Sequence, residues 1–370
     1  MKSAVLLAAF FLVAAVGGGV WYVWTGFVNS PATAQATEVV YEVKPGLTLT
    51  RVARDLEAKK VVRKADWFLL LARFKGLQNS MKVGEYLLTM NMKPTEVLDV
   101  ITSGRSLGRN FTIAEGLNIF EIAEVYGKSG FGSKAEFWKW VNDPDFASSL
   151  VGERVTSLEG YLFPETYQIT KYTDTKSVIR AMVARFLDTY MREIQPIAMD
   201  SGMSRHQIVT LASIIEKETG APEERPRISS VFHNRIRKGM MLQTDPTVLY
   251  GKARSTGVFE ISITRKDLTT PTEYNTYVIK GLPPGPIANP GRAAMVATLK
   301  PESTEFLFFV SQNDGTHIFS KNYADHSRAV QEFQINRKAR EGRSWRELGK
   351  TREGENLQQQ PGAQAPGATR

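Results

Sequence analysis

Along this chain the spacing of apolar positions changes several times, and each change marks an element. From Ala4 to Val28 no charged residue interrupts the apolar run, which is long enough to cross about 30 Å of hydrocarbon. A membrane helix is therefore predicted within residues 1–28. Lys2 lies on the short side and no further cation follows until Lys44, which predicts a cytoplasmic N-terminus and an exported body. Trp21, Tyr22 and Trp24 suit an aromatic belt at the outer interface. A cleaved signal peptide competes with this reading, because Ala32-Thr33-Ala34 and Ala34-Gln35-Ala36 resemble cleavage sites, although the apolar region is long for one.

Residues 29–37, rich in Pro, Ala and Thr, read as a linker. EVVYEVKPGLTL then has strand character broken by a Pro-Gly turn. Helices are predicted over 51–58 and 66–75, a strand over 84–90, and a helix over 94–103 closed by Gly104. From Arg109 a larger mixed unit begins: FTIAEGLNIFEIAEVY reads strand to helix, 134–142 reads helical, and FLFFVSQNDGTHIFS at 306–320 reads as a hairpin over Asn313-Asp314-Gly315. Beyond Glu353 the tail lacks hydrophobic periodicity, so 353–370 is expected to be disordered.

The richest chemical signal sits in LASIIEKET at 211–219. Ser204 with Gln207 forms a capping-box pattern that starts a helix. Ile208, Leu211, Ala212 and Ile215 recur at spacings of three and four, and Gly220 with Pro222 supplies a stop. On a helical wheel Glu218 lies roughly 60° from the centre of the apolar stripe and Glu216 roughly 100° away on its other side. Glu218 is thus expected to be the more buried. A carboxyl in an apolar wall keeps its proton to higher pH and can donate it, as a general acid must. In isolation an E-K-E triplet would be a solvated helix end.

Composition narrows the context. The 370 residues leave room for two folded domains, and 42% hydrophobic content is ample for their cores. The formal charge of +9 suits an anionic partner, although much of it falls between Arg337 and Arg352, where a solvated helix and tail would account for it. There is no cysteine, so disulfides and thiolate chemistry are excluded. His206, His233, His317 and His326 show no metal-ligand spacing; neither a metal nor a cofactor is expected. Export makes a nucleic-acid partner improbable.

Three further stretches collect polar residues and turn formers. EGYLFPETYQI (159–169) carries Glu159, Glu165, Thr166 and Tyr167. MLQTDPTVLYG (241–251) carries Gln243, Thr244, Asp245 and Tyr250. EYNTYVIKGLPPGPIANPG (273–291) carries Tyr274, Asn275, Thr276 and Tyr277 before a rigid Pro/Gly loop. Amides, hydroxyls and carboxylates bond sugar hydroxyls and acetamido groups, while tyrosine rings offer flat faces to pyranoses. Taken singly, each stretch would read as turns and core.

In this order, EGYLFPETY, LASIIEKET, LQTDPTVLYG, YNTYVIKGLPPGPIANPG and HIFSKNYADH resemble the YceG-like, or MltG-like, endolytic murein transglycosylase family over roughly 160–330. YEVKPGLTLTRVARDL resembles the opening of a LysM module, with Leu47 where such modules usually carry an acid, so a spacer role stays open beside glycan binding. The predicted fold is α+β: a single N-terminal transmembrane helix, a small LysM-like α/β domain (38–105) and a larger mixed α+β catalytic domain (109–345).

The resemblance implies a lyase with one acid/base glutamate, cutting MurNAc-GlcNAc bonds of nascent peptidoglycan strands to 1,6-anhydro ends. It implies an inner-membrane anchor, a periplasmic body and penicillin-binding synthases as partners. Lysozyme-like transglycosylases place a hydroxyl residue after the catalytic glutamate, and Glu218-Thr219 is similar. Glu218 is taken as catalytic, with Glu216 supporting or alternative. Glu165, Thr166, Gln243, Thr244, Asp245, Tyr250, Asn275 and Tyr277 are the expected substrate contacts. A non-catalytic glycan-binding scaffold and a hydrolytic muramidase are the alternatives.

Overall fold

A computed structural model of the chain describes residues 17–19, 21–218 and 220–335. The predicted span over 4–28 lies in its first part, and the tail 353–370 entirely, outside the described residues. Residues 21–29 are helical, and among the described residues no helix is long and apolar enough to cross a membrane. Among the described residues the architecture is mixed α+β, with helices and three two-stranded ribbons.

The chain divides into two compact units, one of 1–111 with 167–174, the other of 112–166 with 175–370. In the first, β1 (Glu38–Val43) pairs antiparallel with β2 (Gly84–Thr89), Tyr41 opposite Tyr86. Period-two alternation turns Tyr41, Val43, Tyr86 and Leu88 inward. They meet apolar stripes of α1 (Leu49–Ala58), α2 (Ala65–Phe74) and α3 (Pro94–Ser103), including Val52, Leu56, Phe68, Leu98 and Ile101. Thr48 caps α1 by accepting from Arg51 N–H, and Gly104 ends α3 in the left-handed conformation. Segment 167–174 joins this unit through Lys171 and Tyr172, which hold the Glu42 carboxylate at 2.7 and 2.6 Å.

The second unit is built around α8 (Arg205–Glu218), which follows α4 (Ile119–Ser129), α5 (Lys134–Val141), α6 (Pro144–Val151) and α7 (Thr175–Thr189). The capping box forms as the sequence predicts: Ser204 N–H donates to Gln207 Oε1 (2.9 Å) and Gln207 N–H to Ser204 Oγ (3.2 Å). From Ile208 to Ile215 every side chain is buried, so this helix is wrapped on nearly all faces rather than along one stripe. It packs on α9 (Arg225–Arg237), α10 (Asp245–Thr256) and α11 (Arg292–Leu299).

The motif stretches form the packing around α8. Ser213 Oγ accepts from Ile287 N–H at 3.0 Å, and His206 joins Tyr161 to the Pro/Gly loop, its ring nitrogens 2.8 Å from the Tyr161 hydroxyl and 2.8 Å from the Pro284 carbonyl. Glu159, 2% exposed, accepts from Ile119 N–H (3.0 Å) and the Asn289 amide (2.9 Å). The Asn289 side-chain oxygen in turn accepts from Leu162 N–H at 2.8 Å. Gly160 has φ +85°, and a Cβ there would overlap Pro286 and Val209, so the EGY turn needs glycine for both conformation and space.

The predicted hairpin is present as β3 (Phe308–Ser311) and β4 (His317–Ser320), with Phe309 opposite Phe319. Asn313 and Gly315 take positive φ at its tip, as an Asn/Gly turn requires. Helix α12 (Tyr323–Val330) follows, capped by Asn322.

Candidate active site

Glu218 is the last residue of α8. Its Oε1 accepts the Thr244 hydroxyl, and Thr244 is itself fixed because its N–H donates to Thr276 Oγ1 at 3.1 Å. Burial pushes the Glu218 carboxyl up to about 7; nearby Asp245 acts in the same direction, while the Thr244 hydroxyl and the Arg235 guanidinium oppose it. Desolvation wins because both opposing groups favour the ionised form without returning it to water.

The carboxyl opens on a cavity of about 430 Å³ whose lining includes Glu218, Arg235, Asp245, Tyr277, Phe308 and His326. Asp245 Oδ1 accepts the Tyr277 hydroxyl at 2.7 Å, and burial with this bond pushes the phenol up, so it stays a donor. Gln243, also in the lining, holds φ +49°, a conformation that non-glycine residues rarely take. Its N–H donates to Thr276 O at 3.1 Å, so the turn that presents Gln243, Thr244 and Asp245 is fixed from behind by Thr276.

Another wall is the β3–β4 hairpin. Phe308 stacks on His326, centroids 5.0 Å apart, and lies 5.2 Å from the Arg235 guanidinium. Arg235 is buried and donates to the Leu307 and Leu242 carbonyls, each at 2.6 Å. It thereby ties the hairpin to the Gln243 turn and leaves positive charge beside Glu218. His326 Nδ1 is buried and meets no partner among the described residues. Burial and the Arg235 guanidinium lower its pKa, which favours the neutral ring.

Glu216 differs in its partners. Its side chain is 5% exposed, with Gly116 and Gly291 against that face of the helix. Its Oε1 accepts from Arg225 (2.9 Å) and its Oε2 from Gly291 N–H (3.0 Å). A Cβ on Gly291 would collide with the Glu115 carboxyl. A carboxylate engaged in this way by a guanidinium and a backbone amide is a brace between the helix and its neighbours.

The sequence profile of the YceG-like family matches residues 41–332. The chain belongs to the YceG-like family. An endolytic murein transglycosylase of Bacillus subtilis (strain 168) is 31% identical over 315 residues, covering 80% of this chain and 85% of that protein. One of Streptococcus pneumoniae serotype 2 is 27% identical over 322 residues, covering 80% of this chain and 58% of the relative. A crystal structure of a yceG-like protein from Listeria monocytogenes superposes with a TM-score of 0.55 at 32% identity, covering 80% of this chain and all of that one.

In this YceG-like chain the structure gathers Glu218, Gln243, Asp245 and Tyr277 around one cavity, with Thr244 buried behind them and bonded to Glu218. It places the other expected contacts elsewhere. Asn275 is buried, and its amide serves the carbonyls of Asp267, Leu268 and Thr270 at 3.1, 3.2 and 2.7 Å, so it shapes the loop that carries Tyr277. Tyr250 packs edge-on against Tyr274 inside the core, centroids 4.9 Å apart. Glu165 pairs with Arg185 at 2.6 Å, and the Thr166 hydroxyl with that of Thr112 at 2.9 Å. Thr219 lies outside the described residues.

Sequence reasoning missed Arg235, His326 and the Phe308 wall. Arg235 sits in HNRIRKG, where a basic helix end reads as solvated. His326 belongs to the HIFSKNYADH stretch, whose position after the hairpin was the available signal.

Proposed function

We propose that this chain is a membrane-anchored lytic transglycosylase that cuts the MurNAc-GlcNAc bond of peptidoglycan strands, endolytically and without water, leaving 1,6-anhydro-MurNAc ends. The observation that carries this reading is the Glu218 carboxyl, protonated near neutral pH by burial, at the edge of a cavity with an aromatic wall and polar donors. The family relatives named endolytic murein transglycosylases support the substrate class.

Protonated Glu218 donates to the bridging glycosidic oxygen, and the bond breaks through an oxocarbenium-like state. The resulting carboxylate takes the proton of the muramoyl C6 hydroxyl as that oxygen closes on its own anomeric carbon. Thr244 holds the carboxyl in one orientation through both steps, and Arg235 steadies its charged form. Asp245, Tyr277 and Gln243 offer hydrogen bonds to acetamido and hydroxyl groups, and Phe308 offers a flat apolar face.

The uncharged run over residues 4–28 supports a single-pass inner-membrane anchor with a cytoplasmic N-terminus and a periplasmic body. Such tethering would bring the enzyme to nascent strands beside penicillin-binding synthases.

The test is the full chain in detergent on purified murein, with products read by mass, beside Glu218→Gln. Anhydro ends that vanish in the variant are the expected result. Reducing ends would make the protein a muramidase, with Asp245 the second carboxylate in the cavity, and no cleavage would make it a glycan-binding scaffold.

A further inference from the structure

In the small unit one helix carries apolar side chains outside its buried face. Ala65, Phe68, Leu71 and Ala72 of α2 face inward and Trp67 is half-buried against the same core, whereas Leu70 and Phe74, four residues apart, turn outward. Leu70 is 53% and Phe74 79% exposed. An exposed run of this kind on a helix marks an interaction surface.

The apolar surface continues onto the helical residues 21–29. Trp24 stacks on Trp67 with centroids 6.0 Å apart and meets Phe74 at 6.2 Å, while Phe27 meets Trp67 at 5.6 Å and is buried in the unit's core. Trp21 and Tyr22, one turn earlier, are 67% and 78% exposed. The end of the apolar N-terminal segment is therefore built into this unit and lies beside the outward side chains of α2.

Charge and shape add to this. Arg63 and Lys64 precede α2, and Arg73 and Lys75 close it, with Asp66 the acid in its first turn. Lys64 and Lys75 share their charge with Glu57 and Asp99 at 3.6 and 3.3 Å, and Arg63 also donates to the Pro31 carbonyl at 3.0 Å. Between the two helices lies a cavity of about 580 Å³ lined by Tyr22, Asn29, Ser30, Arg63, Lys64 and Trp67 among others.

We propose that this face is a lipid-binding surface: Leu70 and Phe74 enter the interfacial layer of the bilayer, and the cavity at Arg63 and Lys64 takes the phosphate headgroup of an anionic phospholipid. The occupant follows from the sequence, since the uncharged run from residue 4 precedes the helical residues 21–29, whose Trp24 packs on Trp67 and Phe74. Tryptophan and tyrosine prefer the headgroup level, and cations beside them favour anionic lipid. The inference rests on the membrane-anchor reading above.

The chain has no cysteine, so single labels can be placed cleanly. The full chain carrying Tyr22→Cys or Phe74→Cys with an environment-sensitive dye is reconstituted into phosphatidylcholine bilayers containing phosphatidylglycerol, with a headgroup-proximal spin label on either lipid. Both dyes should be quenched, and labelled phosphatidylglycerol should quench Phe74→Cys more strongly than labelled phosphatidylcholine. Arg63→Gln and Lys64→Gln should each lower that preference, by up to roughly fivefold per cation.

Quenching at position 22 without quenching at 74 overturns the surface and leaves the anchor standing. A dye at 74 that is blue-shifted yet beyond the reach of lipid quencher means that protein covers the face, which also overturns it. Loss of quenching at both positions removes the anchor reading, and the surface with it.

Discussion

Thr244 donates its hydroxyl to Oε1 of Glu218, and this bond joins the end of the α8 helix to the start of α10. It favours the ionised carboxyl, so it sets how far burial can raise the Glu218 pKa. A general acid must hold its proton, so activity should fall as pH rises through about 7. Thr244→Val should move that alkaline limb upward by up to about one pH unit, the worth of a hydrogen bond of about 1 kcal/mol. A pH profile of kcat/KM for both proteins checks it; a limb that moves down or stays fixed would deny the bond this role.

The two glutamates should fail in different ways. Glu218→Gln removes the proton donor and should lower kcat by about 10²–10⁴ with the melting temperature nearly unchanged. Glu216→Gln leaves the Arg225 guanidinium, 14% exposed, with Glu115 at 3.6 Å as its remaining carboxylate partner. It should cost about 3 kcal/mol of stability and retain glycan cleavage at permissive temperature. Thermal melts beside product assays separate the two, and a stable but inactive Glu216→Gln would exchange the assignments.

Glu159 titrates out of sight of the cavity. Burial raises its carboxyl to about 8 from an ordinary value of 4.5. Between those two pH values the folded chain holds a proton that the unfolded chain has lost, so stability is full below about 4.5 and declines as pH rises through about 8. In Glu159→Gln this decline should shrink, while the amide leaves Ile119 N–H or the Asn289 amide without an acceptor and lowers stability at acid pH by about 1–3 kcal/mol. Denaturant melts across pH report both effects; an unchanged slope would show that Glu159 does not titrate in this range.

Arg235 holds the hairpin wall through backbone carbonyls and steadies charge on Glu218. Arg235→Met should leave the Leu307 and Leu242 carbonyls without a donor, lower stability by about 3 kcal/mol, and raise KM as the Phe308 wall loosens. Kinetics with a defined glycan oligomer would show it, and an unchanged KM would remove the hairpin from the substrate path.

Much of this arrangement was legible in the residues because it is local. The Ser204 and Gln207 box, the Asn-Asp-Gly hairpin and the alternation in β1 and β2 depend on neighbours within a few positions, and each appears in the fold. The wheel places Glu218 near the apolar stripe but is silent on what surrounds Glu216, because a helix wrapped on most faces takes its cover from distant residues such as Gly291. Asn275 and Tyr250 carry side chains suited to sugars, but their surroundings direct them into the core. Arg235 and His326 reach the cavity only through tertiary packing, which no spacing rule encodes.

The proposed chemistry requires one carboxyl, that of Glu218, to keep its proton near neutral pH. Infrared or carbon NMR titration of the Glu218 carboxyl, identified by difference from Glu218→Gln in an otherwise identical chain, measures that directly. A midpoint near 7 is predicted; a midpoint near the ordinary glutamate value of 4.5, with the site folded, would contradict it.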